Sequence, residues 1–225
     1  MLKNKYLIVV VLALFWPSLG HAVDEEAFKK ADEFRSQGYS LMSITRVYGQ
    51  VVAFNLPQGF RPAFEKDKGD FYIQEFVPKD ETVDGWTQMI TMAGSKGLSS
   101  KTDLTPEKFA IFVANGFWRA CPNSFSALRL GERQIDGHDA YVAVVGCGQS
   151  PMAGNKKSET VLAVVIKGDS DYYTLQWSER GPSMTIPMSL DKDLWNERLD
   201  RLLPIKLCAV TPGETKPYPS CASRP

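Results

Sequence analysis

Residues 121–147 read CPNSFSALRLGERQIDGHDAYVAVVGC, and this stretch decides the fold. Two extended segments flank Asp136 and Gly137, a dipeptide typical of a type I′ turn, in which both central residues take positive φ. The second segment is apolar on both faces at YVAVV, which indicates a strand covered on both sides. The stretch therefore predicts an antiparallel hairpin inside a layered α+β domain.

Further strand patterns surround this hairpin. Residues 161–167 and 172–180 form a second predicted hairpin, and the run VLAVVI within it also lacks a polar face. Strands that are apolar on both sides need a covering layer on each side, so we expect helices on both faces of a largely antiparallel sheet. Earlier segments with strand patterns lie at 50–56, 60–66, 70–77 and 86–93.

Three helices are predicted to supply the covering layers. The clearest begins at Thr105, a good N-cap, with Pro106 at the first helical position. Another is predicted over residues 24–35, and the last starts at Asp191 and is ended by Pro204. The apolar stripe of the second helix is predicted to enter the core: Phe109, Phe112, Val113 and Phe117.

The N-terminus has the pattern of an export signal. Lys3 and Lys5 precede an uncharged apolar run at 6–16, and Gly20 and Ala22 place small residues at a cleavage site. We expect cleavage after Ala22, because the apolar run is shorter than the ~20 residues that span a bilayer. An uncleaved anchor helix is the alternative.

The chain behind this signal peptide (residues 1–22) is predicted to form one domain and a tail. We expect a single α/β/α domain over residues 23–203 and an irregular, proline-rich tail over 204–225, with no further segment able to span a membrane. The full sequence holds 26 basic and 26 acidic residues, so the predicted mature chain is close to neutral. This balance argues against a nucleic-acid partner, because neutralising phosphates needs a basic surface.

Four cysteines in an exported chain predict disulfides. Three pairings are open, and we favour Cys121 with Cys147 and Cys208 with Cys221, because each pair encloses a compact segment. The second pair would hold the tail. The spacings lack the C-x-x-C pairs of a zinc site, so neither a metal nor another cofactor is predicted.

The order of the elements resembles the Mog1/PsbP-like family. The resemblance is carried by a strand that ends in NLPQGF, a helix at TPEKFAIFVANGFW, two hairpins and a terminal helix at DLWNERLDRLL. It implies a three-layer α/β/α sandwich and an accessory or assembly role that depends on binding other proteins. The chain is also similar in general character to exported envelope proteins of gammaproteobacteria such as Legionella, some of which are parts of secretion systems.

Residue patterns for catalysis are weak. His138, the lone histidine of the predicted mature chain, follows the hairpin turn between Asp136 and Asp139. One histidine forms neither a triad nor a metal site, so a solvated turn residue is favoured. Ser150 lacks a G-x-S-x-G context and has no predicted base beside it.

Two acidic clusters lie in predicted loops. Asp169 and Asp171 belong to a hairpin turn, where the pattern Asp-Ser-Asp is common without a calcium ion. Asp80, Glu81 and Asp84 form the second cluster, and two carboxylates in one cleft would support acid–base hydrolysis. Spacing along a loop does not place two carboxylates in one cleft, so solvated loops are favoured.

Two features indicate binding. Trp118 lies off the apolar stripe of its helix and next to Arg119, so both residues are candidate partner contacts if Trp118 is exposed. Residues 148–158 contain Gly148 and Gly154 and are predicted to form a flexible loop, which would act as a lid over a small ligand.

These features together predict a non-enzymatic periplasmic protein. We expect it to bind other envelope proteins in an assembly such as a secretion system, with the outer membrane as one site of association. A periplasmic small-ligand-binding domain is the first alternative. A hydrolase that uses a carboxylate pair or His138 is the second.

Overall fold

The computed structural model describes the backbone of residues 20–223, and the side chains from Glu26 onward except Ala27. The predicted signal peptide lies outside this range, apart from residues 20–22 in the first turn of the first helix. The helices of the described range are α1 (Gly20–Ser36), α2 (Pro106–Ala120), α3 (Lys192–Leu202) and α4 (Pro219–Ala222), with 3-10 turns at Leu98–Ser100 and Pro151–Ala153. The strands are β1 (Met42–Val47), β2 (Gln50–Asn55), β3 (Phe60–Asp67), β4 (Phe71–Pro78), β5 (Gln88–Ser95), β6 (Phe125–Ile135), β7 (His138–Cys147), β8 (Lys157–Lys167), β9 (Tyr172–Pro182) and β10 (Ile205–Ala209).

The chain divides into two compact units, where the sequence predicted a single domain over residues 23–203. The smaller unit joins the chain up to Gly59 with the chain from Arg201 onward, and the larger unit is Phe60–Asp200. The first boundary therefore coincides with the turn before β3, and the second falls in the last turn of α3.

The smaller unit contains a three-stranded antiparallel sheet in the order β1-β2-β10. Its central strand β2 is buried along most of its length, as expected for a strand with neighbours on both edges. Strand β1 was missed by the sequence analysis. The turn into β2 is Tyr48-Gly49, and Tyr48 has φ 53°, a left-handed conformation that tyrosine seldom adopts, so the Asn or Asp that usually precedes glycine in such a turn is missing.

The C-terminal segment corrects one prediction. Residues 204–225 were expected to be irregular, yet β10 pairs antiparallel with β2 and the chain ends its described part in α4. The disulfide between Cys208 and Cys221 joins these two elements, with 5.6 Å between their Cα atoms. Its sulfurs lie in a small core with Val51 and Ala53 of β2. The strand was not predicted for two reasons. The segment is rich in proline, and the pairing partner of β10 lies some 150 residues earlier in the chain.

The larger unit is built on a seven-stranded antiparallel sheet in the order β3-β4-β5-β9-β8-β7-β6. Its central strands β8 and β9 are buried on both faces over most of their length. The DG turn between β6 and β7 has φ 53° at Asp136 and 82° at Gly137, which confirms the predicted type I′ hairpin. The α+β class with a largely antiparallel sheet is likewise confirmed.

Each face of this sheet carries a helix. Helix α2 packs over β6, β7 and β8, and its Phe109 ring stacks on Tyr172 of β9 with 5.3 Å between centroids. We call this the front face. On the back face, Arg198 of α3 lies over the ring of Trp177, 5.5 Å from its centroid, and its Nε donates to Glu179 at 2.7 Å. The apolar runs YVAVV and VLAVVI are buried along most of their length, as predicted.

Helix α2 begins as predicted but buries a narrower face than expected. The Lys108 backbone N–H donates to Thr105 Oγ1 at 3.2 Å, which confirms the N-cap. Within α2, Ala110 is buried. Phe112, which was predicted to be a core residue, has 68% of its surface exposed. A small alanine brings the helix close to the sheet, and a close approach leaves no room beneath the helix for the full aromatic stripe.

Residues 148–158, predicted to form a flexible loop, contain the 3-10 turn Pro151–Ala153 and hydrogen bonds across the loop. The Ser150 N–H donates to the Lys157 carbonyl at 2.9 Å, and the Asn155 N–H donates to the Ser150 carbonyl at 2.9 Å. The turn is also joined to the segment after β9, because Ser183 Oγ donates to the Asn155 carbonyl at 3.1 Å.

The segment 183–190 runs as an extended strap past the end of β7. The Met184 N–H donates to the Gly148 carbonyl at 2.8 Å, and Ser126 Oγ donates to the Met188 carbonyl at 2.7 Å. A Cβ added at Gly146 would lie 2.9 Å from Met188 Cε. The strap approaches β7 so closely because glycines lie beneath it.

The disulfide between Cys121 and Cys147 joins the end of α2 to the end of β7. Cys121 follows the helix, Cys147 is the last residue of β7, and their Cα atoms lie 5.8 Å apart. Two disulfides are typical of a protein that folds in an oxidising compartment.

Removing the Cys121–Cys147 bond is expected to destabilise the larger unit by about 3.5 kcal/mol, because its separation of 26 residues closes a long loop in the unfolded chain. The double variant Cys121→Ala, Cys147→Ala should show this loss in urea unfolding followed by tryptophan fluorescence. Cys208→Ala with Cys221→Ala is the matched control and should lower the stability of the smaller unit by about 3 kcal/mol. An unchanged midpoint in the first double variant would show that the bond contributes nothing to stability.

Candidate functional site

The residues singled out for catalysis are not brought together. His138 begins β7 opposite Ile135, and alternation along the strand places its side chain on the other face from Asp139. Within residues 20–223, no group of three or more His, Cys, Asp or Glu side chains lies close enough to hold a metal ion.

One carboxylate in each acidic loop accepts hydrogen bonds from other residues of the larger unit. Glu81 accepts hydrogen bonds from the Thr87 N–H and the Thr87 hydroxyl, each at 2.6 Å. Asp171 is buried and accepts from the Gly97 N–H at 2.7 Å and the Tyr173 hydroxyl at 3.3 Å. Glu81 therefore closes a local turn, whereas Asp171 joins the β8–β9 turn to the loop after β5.

Ser150 belongs to a buried chain of polar side chains that includes Arg180. Ser150 Oγ donates to Glu159 Oε2 at 3.2 Å, and Arg180 Nε donates to the same oxygen at 3.1 Å. The Arg180 guanidinium lies over the Trp86 ring, 3.7 Å from its centroid. Because Arg180 pairs with the Glu159 carboxylate, Glu159 is unsuited to act as a base for Ser150. We therefore interpret these three hydrogen-bonded side chains as a structural element.

Trp118 is exposed, unlike three other tryptophans of the larger unit. Trp86, Trp177 and Trp195 are buried, while Trp118 has 54% of its surface exposed and Ile111, two turns earlier, has 42%. These two residues share one flank of α2 at helical spacing i, i+7. We call Ile111 and Trp118 the α2 ridge.

The α2 ridge lies on the β6 side of its helix. Glu107, four residues before Ile111, faces the same flank and lies 3.7 Å from Arg129 of β6. Lys108 and Arg119 are exposed on the outward side of α2 beside the ridge. The α2 ridge is therefore an apolar surface with two basic side chains, Lys108 and Arg119, beside it.

Strand β6 is an outer strand of the seven-stranded sheet. It is paired along one edge, with β7, over Phe125–Ile135. Among the described residues, no backbone–backbone hydrogen bond outside that pairing involves residues 125–135. An open edge of this kind can accept a further strand from another chain.

A second surface lies on the front face away from the α2 ridge. Phe64, Glu75, Thr91 and Gln176 are register partners in sequence across β3, β4, β5 and β9, so their side chains form one row. Thr174 is on the same face of β9, two residues before Gln176. We call Glu75, Thr91, Thr174 and Gln176 the polar row.

Burial affects the one carboxylate of the polar row. Glu75 is partly buried, and the loss of water around it raises the pKa of its carboxyl above the ordinary value. Phe64, directly opposite, has 40% of its surface exposed. The polar row and Phe64 together thus present an uncompensated carboxylate, two hydroxyls, an amide and an aromatic ring.

The polar row was not predicted, although part of its pattern is visible in the sequence. In YYTLQWS the polar residues Thr174, Gln176 and Ser178 alternate with apolar ones, a pattern of period two that predicts one polar face on β9. Glu75 and Thr91 carry no such signal. Their placement beside Gln176 depends on the pairing of β4, β5 and β9, which joins segments about 100 residues apart.

None of the helices within residues 20–223 is long and apolar enough to cross a membrane. No protein-family model matches the sequence, and a search of curated proteins found no match.

Solved structures show a distant similarity of fold. PsbP (CyanoP) from Synechocystis sp. PCC 6803 has 15% identity and a TM-score of 0.45 over 75% of this chain and 92% of its own. LpqN of Mycobacterium tuberculosis, involved in cell envelope biogenesis, has 14% identity and a TM-score of 0.41 over 79% and 96%. The Ran-binding protein Mog1p of Saccharomyces cerevisiae has 13% identity and a TM-score of 0.39 over 72% and 85%. Similarity at this level establishes neither family membership nor function.

Proposed function

We propose that this chain is an exported, non-enzymatic binding or assembly component of a bacterial envelope complex, such as a secretion system, and that it acts in the periplasm. The observation that carries the proposal is the α2 ridge beside the open edge of β6. The two disulfides and the export-signal pattern support the compartment.

The occupant that fits this surface is an extended segment of a partner protein. Such a segment would add to the edge of β6 through backbone hydrogen bonds and place apolar side chains against Trp118 and Ile111. Lys108 and Arg119 favour acidic residues beside those apolar ones. A lipid surface fits less well, because two cations contribute only about 1 kcal/mol each to binding an anionic membrane.

The test uses a photoreactive amino acid at position 118 in living cells. We expect one discrete protein adduct, identified by mass spectrometry, that disappears when Ile111→Ala is added. The same group at Met152, which is 83% exposed and lies on the turn after β7, is the matched control and should give no such adduct. Adducts of equal yield at both positions, or adducts with lipid alone, would contradict the proposal.

Affinity for the captured partner provides the quantitative prediction. Trp118→Ala is expected to weaken binding at least about 10-fold, since exposed tryptophans that bury on binding are frequent hot spots. Ile186→Ala, which removes another exposed apolar side chain, should leave the affinity unchanged. Isothermal titration calorimetry with the purified partner distinguishes the two results.

A further inference from the structure

We propose that the polar row, together with Phe64, is a binding site for a small ligand that carries an ammonium group and neighbouring hydroxyl or carbonyl groups. The inference goes beyond the proposed function and uses a different surface of the larger unit. It stands on the register of four strands, on the absence of protein partners for the polar side chains, and on their chemistry.

The first step is the register. Phe64 pairs with Glu75, Glu75 with Thr91, and Thr91 with Gln176. Adjacent strands are ~4.8 Å apart, so the polar row extends ~10 Å across the front face from Glu75 to Gln176, and ~14 Å when Phe64 is included. A small ligand would contact part of this length.

The second step is the lack of partners. Within residues 20–223, the side chains of the polar row neither donate a hydrogen bond to another side chain or backbone group nor accept one. Thr91 and Thr174 nevertheless keep only 9% and 8% of their surfaces exposed. No side-chain nitrogen or oxygen of the polar row is buried without a partner, so these polar atoms reach the surface and are open to a bound ligand.

The third step is the chemistry of Glu75. Its carboxylate is partly desolvated and burial is what shifts its pKa, with no neighbouring charge contributing. A ligand cation would compensate the carboxylate, as a salt-bridge partner does inside proteins. An ammonium group also fits the exposed Phe64 ring, because cations bind the face of an aromatic ring within about 6 Å.

The fourth step concerns the rest of the ligand. Hydroxyls donate and accept, and the amide of Gln176 does both through separate atoms. Thr91, Thr174 and Gln176 therefore suit hydroxyl or carbonyl groups close to the ammonium. Phe112 lies on the β9 side of α2, since its ring is 6.5 Å from that of Phe109, which stacks on Tyr172 of β9. Its exposed ring is therefore on the flank of α2 opposite the α2 ridge.

The probes are glucosamine and ethanolamine, with N-acetylglucosamine and ethylene glycol as neutral counterparts. Binding to the purified chain is followed by two-dimensional NMR. We expect the amines to shift the amide signals of Thr91, Thr174 and Gln176 in a saturable manner. The neutral counterparts should bind at least about 10-fold more weakly, which corresponds to the loss of one charge-assisted contact.

Variants locate the contact. Glu75→Gln keeps the shape of the side chain and should weaken amine binding at least about 10-fold, and Phe64→Leu should weaken it several-fold. Trp118→Ala, on the other flank of α2, should leave amine binding unchanged. If Glu75→Gln fails to fold, Thr91→Val with Gln176→Leu tests the same row.

Three outcomes would overturn the proposal. The first is an absence of saturable shifts with either amine. The second is equal binding of amines and neutral counterparts, which would show recognition of hydroxyls without the ammonium. The third is unchanged amine binding in Glu75→Gln. None of these outcomes bears on the α2 ridge, so the partner surface and the ligand site fail or succeed separately.

Discussion

Replacing Gly148 with alanine is expected to destabilise the larger unit by about 3 kcal/mol or more. A Cβ at this position would lie 2.3 Å from the Met184 carbonyl oxygen and 2.9 Å from Ser124 Cβ. Both neighbours are held in place, because the Met184 N–H bonds to the Gly148 carbonyl and the Gly148 N–H bonds to the Ser124 carbonyl. The strap must therefore move away from β7, and these hydrogen bonds are lost together.

The measurement is urea unfolding of the purified variant beside Gly116→Ala. Gly116 lies in α2, and a Cβ added there meets no atom within 4 Å. That control should raise stability by about 0.5 to 1 kcal/mol, because alanine favours a helix over glycine. Equal effects of the two substitutions would show that the strap is not held against β7.

Replacing Arg180 with methionine is expected to cost about 3 to 5 kcal/mol. The side chains of Arg180 and Glu159 are only 10% and 12% exposed, so the substitution leaves a carboxylate with little access to water. It also removes the guanidinium from the Trp86 ring. Adding Glu159→Gln should recover at least about 1 kcal/mol, because the uncompensated charge is then absent.

The matched control is an exposed ion pair of the same two residue types. Arg129 and Glu107 lie 3.7 Å apart with 76% and 40% of their side chains exposed. Arg129→Met should therefore cost less than about 1 kcal/mol in the same thermal unfolding experiment. A loss for Arg180→Met no larger than this control would show that burial adds nothing to the Arg180–Glu159 pair.

The two proposed surfaces arise from one feature of the fold. Helix α2 covers the β6, β7 and β8 part of the front face, so its two flanks have different neighbours. One flank carries Trp118 beside an open strand edge, and the other faces the strands that carry Glu75. A protein partner and a small ligand would therefore use separate surfaces of the same unit.

Sequence patterns predicted the elements whose signals are local. The cap at Thr105 and the turn at Asp136 depend on residues within one helical turn or one hairpin, and both are found in the structure. The burial of Phe112 was predicted wrongly. Helical spacing identifies an apolar stripe, but the width of the stripe that is buried depends on how closely Ala110 lets the helix approach the sheet.

The candidate sites divide in the same way. Trp118 was predicted as a partner contact because it lies off the stripe of its own helix, which is a local property. The exposure of its neighbour Ile111 and the open edge of β6 were not predicted. They became visible only in the structure, where β6 is the outer strand of the sheet. The polar row could not be predicted as a site, because Glu75 and Thr91 belong to no alternating polar pattern within their own strands.

The amino-acid sequence by itself determined the α+β class, the β6–β7 and β8–β9 hairpins and the start of α2, since short-range turn, capping and periodicity rules govern these features. Tertiary structure alone decided the division into two units, the pairing of β10 with β2, and the meeting of Phe64, Glu75, Thr91 and Gln176. These depend on pairing between distant segments, and the register of such pairing is set by the burial of whole faces, which no short stretch of sequence specifies.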